Sequence, residues 1–220
     1  MTRSVRPFLP TTEAQRGRAD LALAPLHERP ALRADAARNR TRLLEAASQL
    51  MAGGGIAALT MEAVATAAGV GKGTVFRRFG DRAGLLTALL DHRERQLQAA
   101  FLSGPAPLGA DAPAAERLHA FGPALIRHER DHHELILAAR TDPLRTYAVP
   151  ASRLRLTHVS ILLRQAGVEG DTDLLAHALL GSLETALVHH LVCERGMPLE
   201  RLEAGWHDLV ARLIPARTTA

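Results

Sequence analysis

The twenty residues from Thr60 to Phe79, TMEAVATAAGVGKGTVFRRF, set the tightest limit on how this chain folds. They divide into two short helical runs around Ala68-Gly69-Val70. In the first run Met61, Val64, Ala65 and Ala68 recur at helical spacing and give one apolar side. Thr60, just before them, is a residue type that accepts a backbone N–H at a helix start. The second run extends from about Gly71 to Arg78. Gly69 suits a backbone with positive φ, and Ala65 and Ala68 are small where two helices must cross closely. Two short helices joined in this way make a helix-turn-helix. If Val70, Val75 and Phe79 point to the core, then Gly71, Lys72, Gly73, Thr74, Phe76 and Arg77 face outward. A helix start bearing Lys72 and Thr74, followed by Arg77 and Arg78, suits a DNA groove.

The flanking sequence is helical as well. Order is expected to begin near Ala34, with Leu43, Leu44, Ala47, Leu50 and Met51 on one face and Gly53-Gly54-Gly55 as the stop. Phe79-Gly80-Asp81 closes the second short helix. Asp81 then caps a longer one carrying Leu85, Leu86, Leu89, Leu90, Leu97 and Phe101. A Pro- and Gly-rich linker spans 103–113, and further helical patterns cover about 114–130, 132–141, 151–167, 172–194 and 198–214. Five Phe, one Trp and one Tyr in 220 residues, against abundant Ala, Leu and Arg, favour helix over sheet. The expected fold is therefore all-α. Residues 1–33 form a basic flexible arm and 34–80 a three-helix helix-turn-helix domain. Residues 81–103 form a connecting helix, and 104–220 an effector-binding and dimerisation domain. The 172–194 helix is apolar on several sides. The 198–214 helix carries a stripe of Leu199, Leu202, Trp206, Leu209, Val210 and Leu213. Two such helices can bury their excess apolar surface against their own copies in a symmetric homodimer.

Charge narrows the partners. Of 27 basic residues only Lys72 is a lysine, and the net charge is +4. Residues 1–95 hold 15 basic and 9 acidic residues, a balance of +6, whereas 96–220 hold 12 and 14, a balance of −2. A polyanion is the expected partner of the first half. The single cysteine, Cys193, excludes an intramolecular disulfide framework and a Cys-based zinc finger. No apolar run reaches the roughly 18–20 residues of a spanning helix, and the N-terminus has no apolar signal core. A cytoplasmic location and no membrane partner are expected.

Residues 38–90 resemble the DNA-binding domain of TetR-type transcriptional regulators. The resemblance is carried by RLLEAASQLM, Gly55, Thr60, AVATAAGV, GKGTVFRRF and DRAGLL, at the family's spacing. It implies that Lys72, Thr74 and Phe76 meet bases or phosphates, with Gly73 on the same surface. It places Thr60, Arg77, Arg78 and Arg82 at or beside phosphate contacts. Three departures stand out. Gly71 replaces a common Ser, so a capping side chain is lost. Phe76 replaces the usual Tyr and its hydroxyl. Arg82 replaces a frequent Lys and keeps the charge. The resemblance further implies a non-enzymatic homodimeric repressor with no cofactor, bound to a near-palindromic double-stranded operator and released by a small-molecule effector. A regulator indifferent to any effector stays open beside it.

Other residues carry competing chemistry. His128-Glu129-Arg130-Asp131-His132 satisfies H-E-x-x-H, the spacing of a zinc hydrolase with Glu as base. Arg130 and Asp131 are unlike the apolar packing of such helices, and no third ligand stands at a recognisable spacing. A metal-responsive regulator using His128, His132 or His133 is the milder alternative, and a polar helix end or loop the plainer one. His189 and Cys193 share a helix face and are weak metal candidates, with His190 beside them. His128, His158, His177, Glu184 and Trp206 are candidates for a ligand pocket, each against a plainer reading as a core or interface group. Arg140 and Arg155 are able to meet an anion, but solvated arginines are the expectation.

Overall fold

The computed structural model describes residues 28–139 and 149–215, with side chains from residue 34. The expected arm up to residue 27 and Arg140 lie outside the described residues. The helices are α1 (Glu28–Gly54), α2 (Met61–Ala67), α3 (Lys72–Phe79), α4 (Arg82–Ser103), α5 (Ala114–Ala139), α6 (Pro150–Gln165), α7 (Thr172–Gly181), α8 (Thr185–His189) and α9 (Leu199–Leu213). A 3-10 turn fills Ile56–Ala58, and a π-helical turn, His190–Glu194, continues α8. No strand occurs among the described residues. The chain divides into two units, Met1–Asn39 and Arg40–Ala220. In the first, Arg38 pairs with Asp35 one turn away.

The second unit holds two hydrophobic clusters. One joins Leu43, Leu44 and Ala47 of α1, Met61, Val64 and Ala65 of α2, Val75 of α3, Leu85 and Leu89 of α4, and Leu135 and Ile136 of α5. The other joins Leu97 and Phe101 of α4, Leu118, Phe121, Leu125 and Ile126 of α5, Leu162 and Leu163 of α6, Leu179 of α7, and Trp206 and Val210 of α9. Helices α4 and α5 thus contribute to both cores. Each large apolar side chain buried this way contributes about 1.5–3 kcal/mol.

Three expected boundaries are corrected. Helix α1 starts at Glu28 rather than near Ala34. Pro30 falls in its first turn, where the missing N–H has no intrahelical acceptor to lose. The patterns at 114–130 and 132–141 are one helix, because the apolar stripe of α5 runs through Arg130-Asp131 to Leu135 and Ile136. The pattern at 172–194 is broken instead of continuous. The Ser182 hydroxyl donates to the Leu179 carbonyl at 2.6 Å, and Glu184 turns extended (φ −58°, ψ 139°) before α8 begins. By length and composition alone, Thr172–Glu194 is apolar enough to cross a bilayer, with mean hydropathy 1.2, contrary to the expectation of no such run. The broken backbone argues against that use, since lipid satisfies no freed N–H or C=O groups.

Candidate nucleic-acid interface and ligand cavity

The helix-turn-helix is set by local chemistry. The Thr60 hydroxyl accepts the Ala63 N–H at 3.0 Å and starts α2. Gly69 has φ +64°, the left-handed backbone that lets α2 turn into α3 within four residues. Val75 is fully buried beneath α3, with Val70 and Phe79 packed beside it. The opposite side of α3 faces solvent: Gly71, Lys72, Gly73, Phe76, Arg77 and Arg78 are exposed and Thr74 is half-buried. No side chain caps α3 at Gly71, as the missing Ser implied. Lys72 lies 3.3 Å from Glu62, an exposed pair too weak to withhold the ammonium from another partner. Arg77 reaches the Thr74 hydroxyl at a long 3.4 Å. Phe76 is 42% exposed, an apolar tip of the kind that meets a thymine methyl. Arg40 of α1 is held below its ordinary pKa by partial burial and by the nearby charges of Arg95 and Arg78. The cationic surface therefore continues from α3 onto α1 and α4.

Arg82 has a role that spacing did not reveal. Its Nε donates to the Leu59 carbonyl at 2.9 Å and one terminal nitrogen to the Ile56 carbonyl at 2.7 Å. From the other side the Glu134 carboxylate of α5 accepts the Ile56 N–H at 3.1 Å. The starts of α4 and the far end of α5 clasp the same loop between α1 and α2.

A cavity of about 50 Å³ opens between α5, α6, α7 and the start of α8. Its apolar walls are Leu125, Leu156, Leu180 and Leu183, and its polar walls are Glu129, Ser152, Arg155, His177, Glu184 and Thr185. Behind it lies a buried ion network. Arg155 donates to Glu129 at 2.7 Å and to Glu94 of α4 at 2.5 Å. The Thr185 hydroxyl donates to the other Glu129 oxygen. The His128 Nε2 lies 3.5 Å from Glu94. Arg155 is 7% exposed and Glu129 2%, which overturns two expectations: Arg155 is not solvated, and the His128–His132 segment is not a polar helix end. Removing one member of such a network leaves a buried charge uncompensated, at a cost of about 3–5 kcal/mol.

Of the five pocket candidates, His177 and Glu184 line the cavity. His128 sits behind it against Glu94. His158 packs against Phe101 and Phe121, with ring centroids 4.5 and 5.5 Å away. Burial, and secondarily the charge of Arg117, depress its pKa to about 4. Trp206 belongs to the core, 1% exposed, with its indole N–H on the Leu118 carbonyl at 2.8 Å. Sequence reasoning missed Glu94, Ser152 and Thr185, named Arg155 but expected it to be solvated, and misread the surroundings of Glu129. The periodicity Leu118, Phe121, Leu125, Glu129 already placed that carboxylate on the apolar face of α5.

The metal readings find no geometry. No group of three or more His, Cys, Asp or Glu is assembled to hold an ion among the described residues. The His132 ring donates from Nδ1 to the His128 carbonyl at 2.9 Å. His133 stacks on His189 at 4.6 Å, and Cys193 is exposed in the π-helical turn.

Residues 43–89 match the family model of bacterial regulatory proteins, tetR family. No curated protein matches the chain. Among solved structures, a putative TetR-family transcriptional regulator from a Rhodococcus species is 20% identical over 81% of this chain and all of its own, with a TM-score of 0.63. A putative transcriptional regulator from Saccharomonospora viridis, in complex with choline, is 21% identical over 82% of this chain and all of its own, with a TM-score of 0.61. The multidrug binding protein EbrR, complexed with imidazole, is 25% identical over 82% of this chain and 97% of its own, with a TM-score of 0.53. The chain carries a TetR-type DNA-binding domain on an all-helical fold shared with such regulators. The helix-turn-helix match supports a DNA-binding transcriptional regulator.

Proposed function

We propose that this TetR-type regulator is a homodimeric repressor, released from a near-palindromic operator by a small molecule entering the cavity beside Glu129. The observation that carries the reading is Arg155. It lines the cavity and at the same time grips Glu94, twelve residues along α4 from Arg82. That separation is about 18 Å along a helix axis. A ligand that repositions Arg155 or Glu129 thereby acts on α4 and α5, the two helices that clasp the Ile56–Leu59 loop of the DNA-binding domain. Release is a population shift: the ligand favours a dimer whose two α3 helices no longer match successive major grooves. The choline and imidazole complexes of the two relatives support a small-molecule role for the fold.

Lys72, Thr74 and Phe76 read bases, and Thr60, Arg77 and Arg78 hold phosphates, with Gly73 allowing close approach of the backbone. Arg82 adds charge near the backbone while it holds the loop. The working division is an arm at 1–33, DNA-binding helices at 34–80, a lever at 81–103, and an effector and dimerisation region at 104–220. The dimer forms through α7 to α9, where Leu174, Leu187 and Leu209 are exposed. Such a regulator works in the cytoplasm, where its operator is. The test is footprinting on the DNA beside its own gene. Two protected half-sites with centres about 34–36 Å apart are expected. No protected site there or elsewhere in the genome overturns the repressor reading.

A further inference from the structure

We propose that His119 of α5 and His207 of α9 form a surface site for one divalent transition-metal ion of the copper or nickel type, held by two imidazoles in adjacent coordination positions. The site lies outside the effector cavity and does not depend on the repressor reading. What lies beneath it fixes its geometry. The Trp206 indole donates to the Leu118 carbonyl at 2.8 Å. Gly122, with no Cβ, lets the same indole lie against α5. The Trp206–Leu118 bond thus ties α9 to α5 at the residue just before each histidine. Farther along, Arg127 donates to Glu203 at 2.7 Å, so the two helices run antiparallel and are joined a second time. The rings project from packed helices rather than from loops, which holds a pair of ligands ready for an ion.

The His119 Nδ1 lies 3.0 Å from the His207 Nδ1, with ring centroids 5.2 Å apart. With metal–nitrogen bonds of about 2.0–2.1 Å, that separation subtends roughly 90–100° at an ion between them. Neighbouring ligands in square-planar or tetragonal coordination stand at this angle, the geometry of Cu²⁺ and Ni²⁺, whereas a tetrahedral zinc centre needs the nitrogens about 3.3–3.4 Å apart. Without an ion, one Nδ1–H donates to the other Nδ1. An ion takes the place of that proton, which passes through water to Nε2 of the same ring. Both rings then stay neutral and each offers an Nδ1 lone pair. Partial burial, and secondarily the His207 ring, hold the His119 pKa below its ordinary value, so that ring is uncharged and able to ligate at neutral pH. His119 is half-buried and His207 exposed, so the ion is reached from water and water fills its other positions. Glu203, one turn before His207, is engaged by Arg127, and no group of three ligands is assembled among the described residues. The ion therefore has two protein donors.

The test is calorimetric titration of the tag-free full-length chain with CuCl₂ near neutral pH, without imidazole. One ion per chain should bind at least tenfold more tightly than to the His119→Ala or the His207→Gln chain. Glutamine keeps a polar partner for His119 but supplies no imidazole. His132→Ala, elsewhere on α5, should leave the affinity unchanged. Electron paramagnetic resonance should show two nitrogen donors on the copper in the wild type and one in either variant. A footprint on the wild type needs no variant. Equimolar Cu²⁺ should slow diethyl pyrocarbonate modification of His119 and His207 together, as read by mass spectrometry. No tight copper site, an affinity unchanged in either variant, or modification of the pair unaffected by copper overturns the inference and leaves a hydrogen-bonded pair of rings only.

Discussion

Gly122 has no side chain because Trp206 occupies the place where one would stand. A Cβ built on Gly122 falls 2.2 Å from the indole Cγ and Cδ2. Gly122→Ala should therefore force the ring or α5 to shift, costing about 1–3 kcal/mol as overpacking does. The midpoint of urea unfolding should fall accordingly, and an unchanged midpoint would contradict the packing. A second residue sets the acid limit. The folded chain holds His158 neutral down to about pH 4, while the unfolded chain protonates it below its ordinary 6.5. The stability tied to this neutral ring is complete above about pH 6.5 and is lost as pH falls towards 4. His158→Leu should flatten that part of the stability–pH curve, and parallel curves for the two proteins would count against the burial argument. Gly122 was not legible from the chain order, whereas His158 was already weighed as a core group. Trp206 sits in a stripe that reads equally as core or interface, and nothing near it points to a glycine 84 positions away. Arg155 is the sharper case, since its partners are 26 and 61 residues distant and a lone arginine reads as solvated.

Elements divide by how local their causes are. Helices α2 and α3 and the start of α4 follow from Thr60, Gly69 and Asp81, whose side chain or backbone acts within three residues, and sequence reasoning places all three correctly. The continuity of α5 was hidden by Arg130-Asp131, although the apolar stripe passes straight through. The break between α7 and α8 was not visible, because Ser182 and Glu184, which mark it, interrupt the apolar run no more than a polar residue in a helix does. The end of α5 offers a test at this scale. Glu134 accepts the Ile56 N–H, so Glu134→Ala frees that amide. A bond to a charged acceptor contributes about 1.5–3 kcal/mol, less at a partly exposed site. Hydrogen exchange at Ile56 should quicken about tenfold while amides of α6 stay unchanged. Equal exchange at Ile56 would show that α5 does not hold the loop.

At the scale of the whole molecule, the charge and the apolar surface sit at different places. The cationic residues gather on α3, α1 and the start of α4. The exposed leucines of α7 to α9 lie in the half whose acidic residues outnumber its basic ones. The first arrangement fits phosphates and the second a protein surface, as the proposed dimer requires. Between them α4 and α5 belong to both cores, so a change at the cavity has a physical route to the DNA-binding domain. The proposed repressor requires the exposed side of α3 to be the surface that meets DNA. The most direct measurement is the salt dependence of DNA affinity for the wild type and Arg77→Ala, by fluorescence anisotropy. Loss of one phosphate contact should weaken binding to all sequences and lower the slope of log affinity against log salt by about 0.9. An identical slope in the two proteins would contradict it.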